Sequence, residues 1–214
     1  MNPFPRPLSS IAVPILRDNV DTDTIIPSRE MKSTGRSGLA DGMFAPWRYS
    51  DVEARIANPQ FELNLPAAQG ARILLGGRNF GCGSSREHAV WALTEYGIQC
   101  VIAPSFASIF RNNCIRNGVL PVELPIEIVE ALAWREIEAD LPAQEIRHEN
   151  TAHHFDISGE EKEMLVEGLD VIDLTLQHRD QIEQWLAHDR TARPHVYLAK
   201  HLPSYASTLK ASHD

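Results

Sequence analysis

The stretch Ala71–Gly97, ARILLGGRNFGCGSSREHAVWALTEYG, constrains this chain more than any other. Its opening run of apolar residues reads as a buried strand over 71–75, because a strand covered on both faces loses its polar alternation. Gly76-Gly77 and Gly81-x-Gly83 then permit a turn with positive φ and close approach of the backbone to a ligand. A helix is predicted over 85–96, ended by Gly97. The rhythm repeats with a strand over 98–103, Ser105 as N-cap, a helix over 106–116, Asn117-Gly118 as terminator and a strand over 119–124. Such alternation implies parallel strands joined by right-handed crossovers, hence an α/β fold.

The flanks are less regular. Residues 1–10 are proline-rich and read as loose, and Ile11–Leu16 reads as a first strand. The acidic loop Asp18–Asp23 lacks the glycine and the closing acidic residue of a calcium loop, so Asx-type turns joining two extended segments describe it better. Residues 28–69 read as a mobile flap carrying Arg29, Lys32, Arg36 and Arg48, because long irregular stretches inside compact domains are usually functional. Ile126–Ala139 has a helical apolar pattern, AQEIRHENTAHHFDISGE reads as a hairpin, and a last helix follows Leu169 with apolar residues at 172, 174, 176, 182, 185 and 186. The organisation expected is one domain over 11–188, including the flap, with a polar tail over 189–214.

Composition excludes several classes. A net charge of −9 is unfavourable for nucleic acid, which needs clustered lysine and arginine. No apolar run reaches the roughly 18 residues of a membrane span. The N-terminal MNPFPRPLSS has no apolar signal region, so a cytoplasmic location is expected. The three cysteines, Cys82, Cys100 and Cys114, are widely spaced without a CxxC, which argues against a disulfide framework or a self-contained metal site. All three read as small hydrophobes, with Cys82 also placed to line a site.

Ser84 and Glu87 have the spacing of a capping box, and that structural role alone would explain them. A functional reading competes with it. A helix N-terminus attracts anions, and here it would carry Ser84 and Ser85 hydroxyls beside Arg86, whose planar guanidinium can grip a carboxylate bidentately. The turn lacks the Lys-Ser/Thr ending of a P-loop and the third glycine of a dinucleotide fingerprint. Nor is it a G-x-S-x-G elbow, and His88 reads as a structural helix residue. Adjacent His153 and His154 would point to opposite faces of a strand, so joint metal ligation is not expected. The four tryptophans read as core or interface anchors.

NFGCGSSREHAVWAL resembles the small subunits of the isopropylmalate dehydratase family, within the aconitase superfamily. NVDTDTIIP at 19–27, ILLGGRNFGCGSSREHA at 73–89, VIAPSFASIF at 101–110 and GLDVIDLTLQH at 168–178 follow in the family's order. The resemblance implies a single swivelling β/β/α domain that docks on a large subunit. It also implies that the large subunit carries a [4Fe–4S] cluster on three cysteines, with none bound by this chain. The implied reaction interconverts 2-isopropylmalate and 3-isopropylmalate, a small dicarboxylate, through an alkene in leucine biosynthesis. By the same resemblance Ser84 corresponds to the catalytic base, and Ser85 and Arg86 to substrate-carboxylate binders.

One departure stands out. After Pro27 the chain reads Ser28-Arg29-Glu30-Met31, where the family commonly has a lysine and an aromatic-leucine pair. Arg29, Lys32 and Arg36 are candidate substrate contacts, with solvated surface charge as the alternative. The departure leaves room for citraconate/2-methylmalate, dimethylmalate or homoaconitate as substrate. A noncatalytic, stabilising subunit is the reading from a different class.

Overall fold

A computed structural model describes residues 2–31 and 35–197. The first strand, β1 (Leu8–Ile15), has two kinds of neighbour. Its first half, Leu8 to Ile11, pairs antiparallel with β7 (Glu136–Asp140), and its second half, Ala12 to Ile15, pairs parallel with β4 (Ile73–Gly76). Burial follows the change. Exposed and half-exposed residues occur among Leu8–Ile11, whereas Ala12–Ile15 are all buried, as a covered parallel strand requires. Pro14 falls beyond the last residue paired to β7, where its missing N–H disturbs no antiparallel ladder.

From β4 the parallel sheet continues through β5 (Cys100–Ala103) to β6 (Leu120–Glu123). On the other side β7, β8 (Glu145–His148) and β9 (Thr151–His154) form an antiparallel meander. The seven-stranded order is β6-β5-β4-β1-β7-β8-β9. Helix α1 is a single turn, Thr22–Ile25, and α2 another, Ala45–Arg48, which leads into a small ribbon of β2 (Tyr49–Asp51) and β3 (Ile56–Ala57). The crossover helices α3 (His88–Tyr96) and α4 (Ser108–Arg116) are followed by α5 (Ile126–Ala131), α6 (Gly159–Glu167), α7 (Val171–Leu176) and α8 (Arg179–Ala192). The strand–helix alternation, the hairpin and the terminators Gly97 and Gly118, both at positive φ, are as the sequence predicts.

Several expectations need correction, and the loose start is one: Phe4 is buried with its amide donating to Leu165 O, and β1 already begins at Leu8. The helix predicted over Ile126–Ala139 stops at Ala131. Trp134 adopts a positive φ, its amide donates to Ala12 O, and Glu136–Asp140 becomes β7 with Ile137 and Ala139 buried against the sheet. Glu and Ala favour helix, but the period-two burial of this segment beside β1 overrides that preference. Ser105 does not cap α4. Ala107 occupies that position, and Ser105 faces the glycine turn instead. Most of the expected flap is packed structure: Leu39, Met43, Phe44, Phe61 and Leu63 all belong to the main core, and Arg48 donates to Ala40 O while lying over Tyr49 and Tyr96. Glu95 on α3 clamps this segment by accepting from the amides of Gly38, Leu39 and Ala40, which lower its pKa.

The chain divides into two compact units, Met1–Val171 and Ile172–Asp214. In the second, the expected last helix is two helices, and α8 continues past the expected tail boundary to Ala192. Ile182 and Trp185 are exposed on α8, and Asp189 is held by Arg193 and Tyr197, each at 2.6 Å. The rest of the expected tail lies outside the described residues. Among the described residues, no helix is long and apolar enough to cross a membrane.

Within the first unit, Arg111 on α4 grips Glu161 at the start of α6, which lowers the Glu161 pKa, with the Ser158 amide adding to the effect. A depressed carboxylate contributes stability above its ordinary pKa and loses that contribution as pH falls through the lowered value. Glu161→Gln is therefore expected to lower the melting temperature at pH 7, with the gap from the parent closing below about pH 4. Thermal denaturation across pH checks this, and a gap independent of pH would refute it.

Candidate active site

Three loops leave the C-terminal ends of the parallel strands β1, β4 and β5, which places them on one edge of the sheet, where open α/β folds bind ligands. Backbone hydrogen bonds stitch the first to the second. Asn19 N donates to Arg78 O at 2.8 Å, Gly81 N to Val20 O at 2.7 Å, and Thr22 N to Cys82 O at 2.9 Å. Side chains add to the seam: Asn79 Nδ2 donates to Asn19 Oδ1 at 2.8 Å, and Asp18 Oδ1 accepts from Arg78 N at 2.7 Å. The third loop closes the other side. Ser105 Oγ accepts from Asn79 N at 2.9 Å, Ser105 O from Phe80 N, and Phe80 O from Ala107 N.

The glycines make this closeness possible. A Cβ on Gly77 would sit 2.4 Å from the Arg17 carbonyl, and one on Gly81 2.1 Å from the Phe110 ring. Gly81 also has φ +77°, a conformation open to glycine. Beneath it Phe80, Phe106 and Phe110 form a mutually packed aromatic cluster. Asp21 caps the short α1, its Oδ1 accepting from Thr24 N at 2.6 Å, so the acidic loop runs into a helical turn rather than a second extended segment.

Ser84, Ser85 and Arg86 emerge together from this platform. Both serines are exposed. The predicted helix start is shifted: α3 begins at His88, with no side-chain cap, and the Ser84–Glu87 capping box does not form. Ser84 O accepts from the buried Thr22 Oγ1 at 3.0 Å and from Arg86 N at 2.7 Å. The Glu87 carboxylate instead accepts from Asn117 Nδ2 at 2.9 Å. The Ser84 hydroxyl makes no hydrogen bond to any other described residue. Arg86, a quarter exposed, pairs through Nη1 with Asp23 Oδ1. A guanidinium has five N–H donors in a planar fork, so this pair leaves Nε and Nη2 for a second carboxylate.

The remaining candidates sit elsewhere. Arg29 is well exposed and 3.9 Å from Glu30, whose buried carboxylate is held by Arg55. Arg36 lies over Trp91, 5.0 Å from the ring centroid, in a cleft of about 710 Å³ with Glu95, Arg116 and Asn117. Lys32 lies outside the described residues. His88 packs against Trp91 with ring centroids 4.6 Å apart and planes tilted by 53°. Sequence reasoning missed Thr22, Asp23 and Asn117 as neighbours of the turn. The first two lie in NVDTDTIIP, visible only through family resemblance, and Asn117 carried a terminator signal alone.

The residues present do not fit a metal cluster. Cys100 and Cys114 are fully buried, and burial pushes both thiols well above their ordinary range. Cys82 Sγ turns onto Asn19 O at 3.4 Å. Among the described residues, no three histidine, cysteine or acidic side chains gather into a ligand set.

Comparison with known proteins sets this geometry in a family. The aconitase C-terminal domain matches residues 6–127. A 3-isopropylmalate dehydratase small subunit from Cupriavidus necator is 50% identical over 196 residues, 87% of this chain and 94% of that one. The chain belongs to the 3-isopropylmalate dehydratase small-subunit family. A small subunit from Neisseria meningitidis serogroup C is 46% identical over 206 residues, 89% and 96% of the two chains. The crystal structure of 3-isopropylmalate dehydratase from Methanocaldococcus jannaschii matches with a TM-score of 0.62 and 31% identity, covering 83% of this chain and 98% of that one. The mixed sheet with its crossover helices is thus the aconitase C-terminal fold, as the sequence resemblance implies, and small-subunit membership implies a large-subunit partner.

Gly81→Ala is expected to destabilise the domain by at least about 1 kcal/mol, from the strained φ and the clash with Phe110. Denaturant unfolding measures this. An unchanged midpoint would mean that the turn is not braced by the aromatic cluster.

Proposed function

We propose that this chain is the small subunit of a 3-isopropylmalate dehydratase, a hydro-lyase that interconverts 2-isopropylmalate and 3-isopropylmalate in leucine biosynthesis. On this reading it works only when docked on a large subunit that carries the [4Fe–4S] cluster. The observation that carries the reading is the exposed Ser84 hydroxyl, without a partner among the described residues, two positions from Arg86 on a rigid turn in a chain of this family. A cluster held by the partner would supply Lewis acidity toward the substrate hydroxyl.

This chain's share is the proton and the carboxylate. Ser84 takes the proton alpha to a substrate carboxylate, which requires stabilising an alkoxide whose conjugate acid titrates far above neutral. Arg86 is the nearby positive charge. The amides at the start of α3 add their partial charge, and docking on the partner excludes water, so each interaction strengthens. Ser85 donates to the substrate carboxylate, while Arg86 receives it on the donors that Asp23 leaves open. Asp23 keeps the fork oriented before substrate arrives. Fixed donors of this kind contribute without reorganising during the reaction.

The test is reconstitution with the large subunit under anaerobic conditions, following alkene absorbance. Ser84→Ala is expected to assemble normally and lose about 10²–10⁴-fold in kcat. Near-parental turnover would remove Ser84 from the proton step. Arg86→Lys is expected to raise KM by about ten-fold or more, because an ammonium cannot reproduce the planar fork. An unchanged KM would sink the carboxylate role.

A further inference from the structure

We propose that Asn117, at the end of α4, is a positioning residue for proton transfer that acts by holding Glu87 away from Ser84. The proposal rests on the reading of Ser84 as proton acceptor. The chain contains the same local pattern, Ser-x-x-Glu, at two helix starts, with opposite outcomes. At Ser158–Glu161 the capping box forms: Ser158 Oγ accepts from Glu161 N at 3.2 Å, Glu161 Oε2 accepts from Ser158 N at 3.2 Å, and α6 begins at once at Gly159. At Ser84–Glu87 neither bond is made, and α3 begins only at His88. A capping box would use the Ser84 hydroxyl as an acceptor for a backbone amide and turn it in along the helix. The proton acceptor and the helix cap are therefore competing uses of one oxygen.

Two contacts decide the competition. Thr22 Oγ1 takes the Ser84 carbonyl, which a longer α3 would need for its first helical bond. Asn117 takes the Glu87 carboxylate. Its amide is itself immobilised: Nδ2 donates to Glu87 Oε1 at 2.9 Å and to Asn113 O at 2.8 Å, and Oδ1 accepts from Trp91 Nε1 at 3.0 Å. Glu161 is also held by a neighbour, Arg111, yet its carboxylate still reaches the Ser158 amide, whereas Glu87 reaches Asn117 instead. Among the described residues, Asn117 is the donor that meets the Glu87 side chain. With Asn117 gone, Glu87 is released to box Ser84, and α3 lengthens to the start that the sequence by itself predicts.

The test uses the reconstituted two-subunit enzyme. Asn117→Leu is expected to lower kcat by about ten-fold or more, with a smaller change in KM, since the proton step is what is lost. Adding Glu87→Ala to Asn117→Leu removes the competing carboxylate, and kcat is expected to recover most of that loss. A purely structural asparagine would give no such rescue. Backbone hydrogen exchange gives a readout independent of activity: the amides of residues 85–88 are expected to gain protection in Asn117→Leu and to lose it again in the double variant. Asn117→Ser serves for the same measurements if the leucine variant does not fold. Full kcat in the single variant, or no rescue and no change in exchange, overturns the proposal. Should Ser84→Ala prove active, the Ser84 reading fails on its own, while the exchange result still reports whether Asn117 sets the helix start.

Discussion

The seam of backbone hydrogen bonds between the loops after β1 and β4 governs the rest of the molecule. Asn19, Val20 and Thr22 pair with Arg78, Gly81 and Cys82 as though the two strands continued past their ends. That pairing forces glycine at the crossing points, because a Cβ would collide with backbone or with Phe110. The seam also sets the path of the chain beyond the turn. With Cys82 and Ser84 tied by their carbonyls to Thr22, the chain leaves at a fixed angle and Arg86 meets Asp23. A serine and an arginine of one turn thus share a common geometry with an aspartate about 60 residues earlier, without any one of them being buried.

Much of this is legible in the sequence, and the misses have identifiable causes. Continuous apolar runs report β4 and β5 because parallel strands are covered on both sides. Gly97 and Gly118 report helix ends because their φ demands it. The start of α3 is misread because Ser84 and Glu87 carry a strong local signal that Thr22 and Asn117 overrule from 62 and 30 residues away. Glu136–Asp140 is misread because glutamate and alanine suit a helix, while the vacancy beside the first half of β1 asks for a strand. In both places a local preference loses to a partner that spacing cannot reveal. The segment after Pro27 looks loose in sequence because its order comes from single long-range contacts, such as Glu95 on three successive amides, rather than from periodicity.

The side chains also limit what chemistry this chain can offer. The two buried thiols lie deep in the sheet and helix packing, where burial disfavours the thiolate that a metal ligand would need. What this chain presents instead is hydroxyl and guanidinium chemistry on an overall acidic body. Asp23 neutralises Arg86 locally, so the free subunit displays a satisfied ion pair rather than a bare cation.

The double allegiance of β1 has a consequence for how the protein is made. This strand comes early in the chain, yet its two halves sit between β4 and β7, whose residues come about 60 and 125 positions later. A growing polypeptide that emerges N-terminus first carries β1 long before either neighbour exists. The ribosome must deliver the meander before the middle of the sheet can close: Ala12–Ile15 can pair once β4 emerges, whereas Leu8–Ile11 waits until Glu136–Asp140 has been made. Chaperone capture during synthesis should therefore fall on this first strand while β7 is still missing.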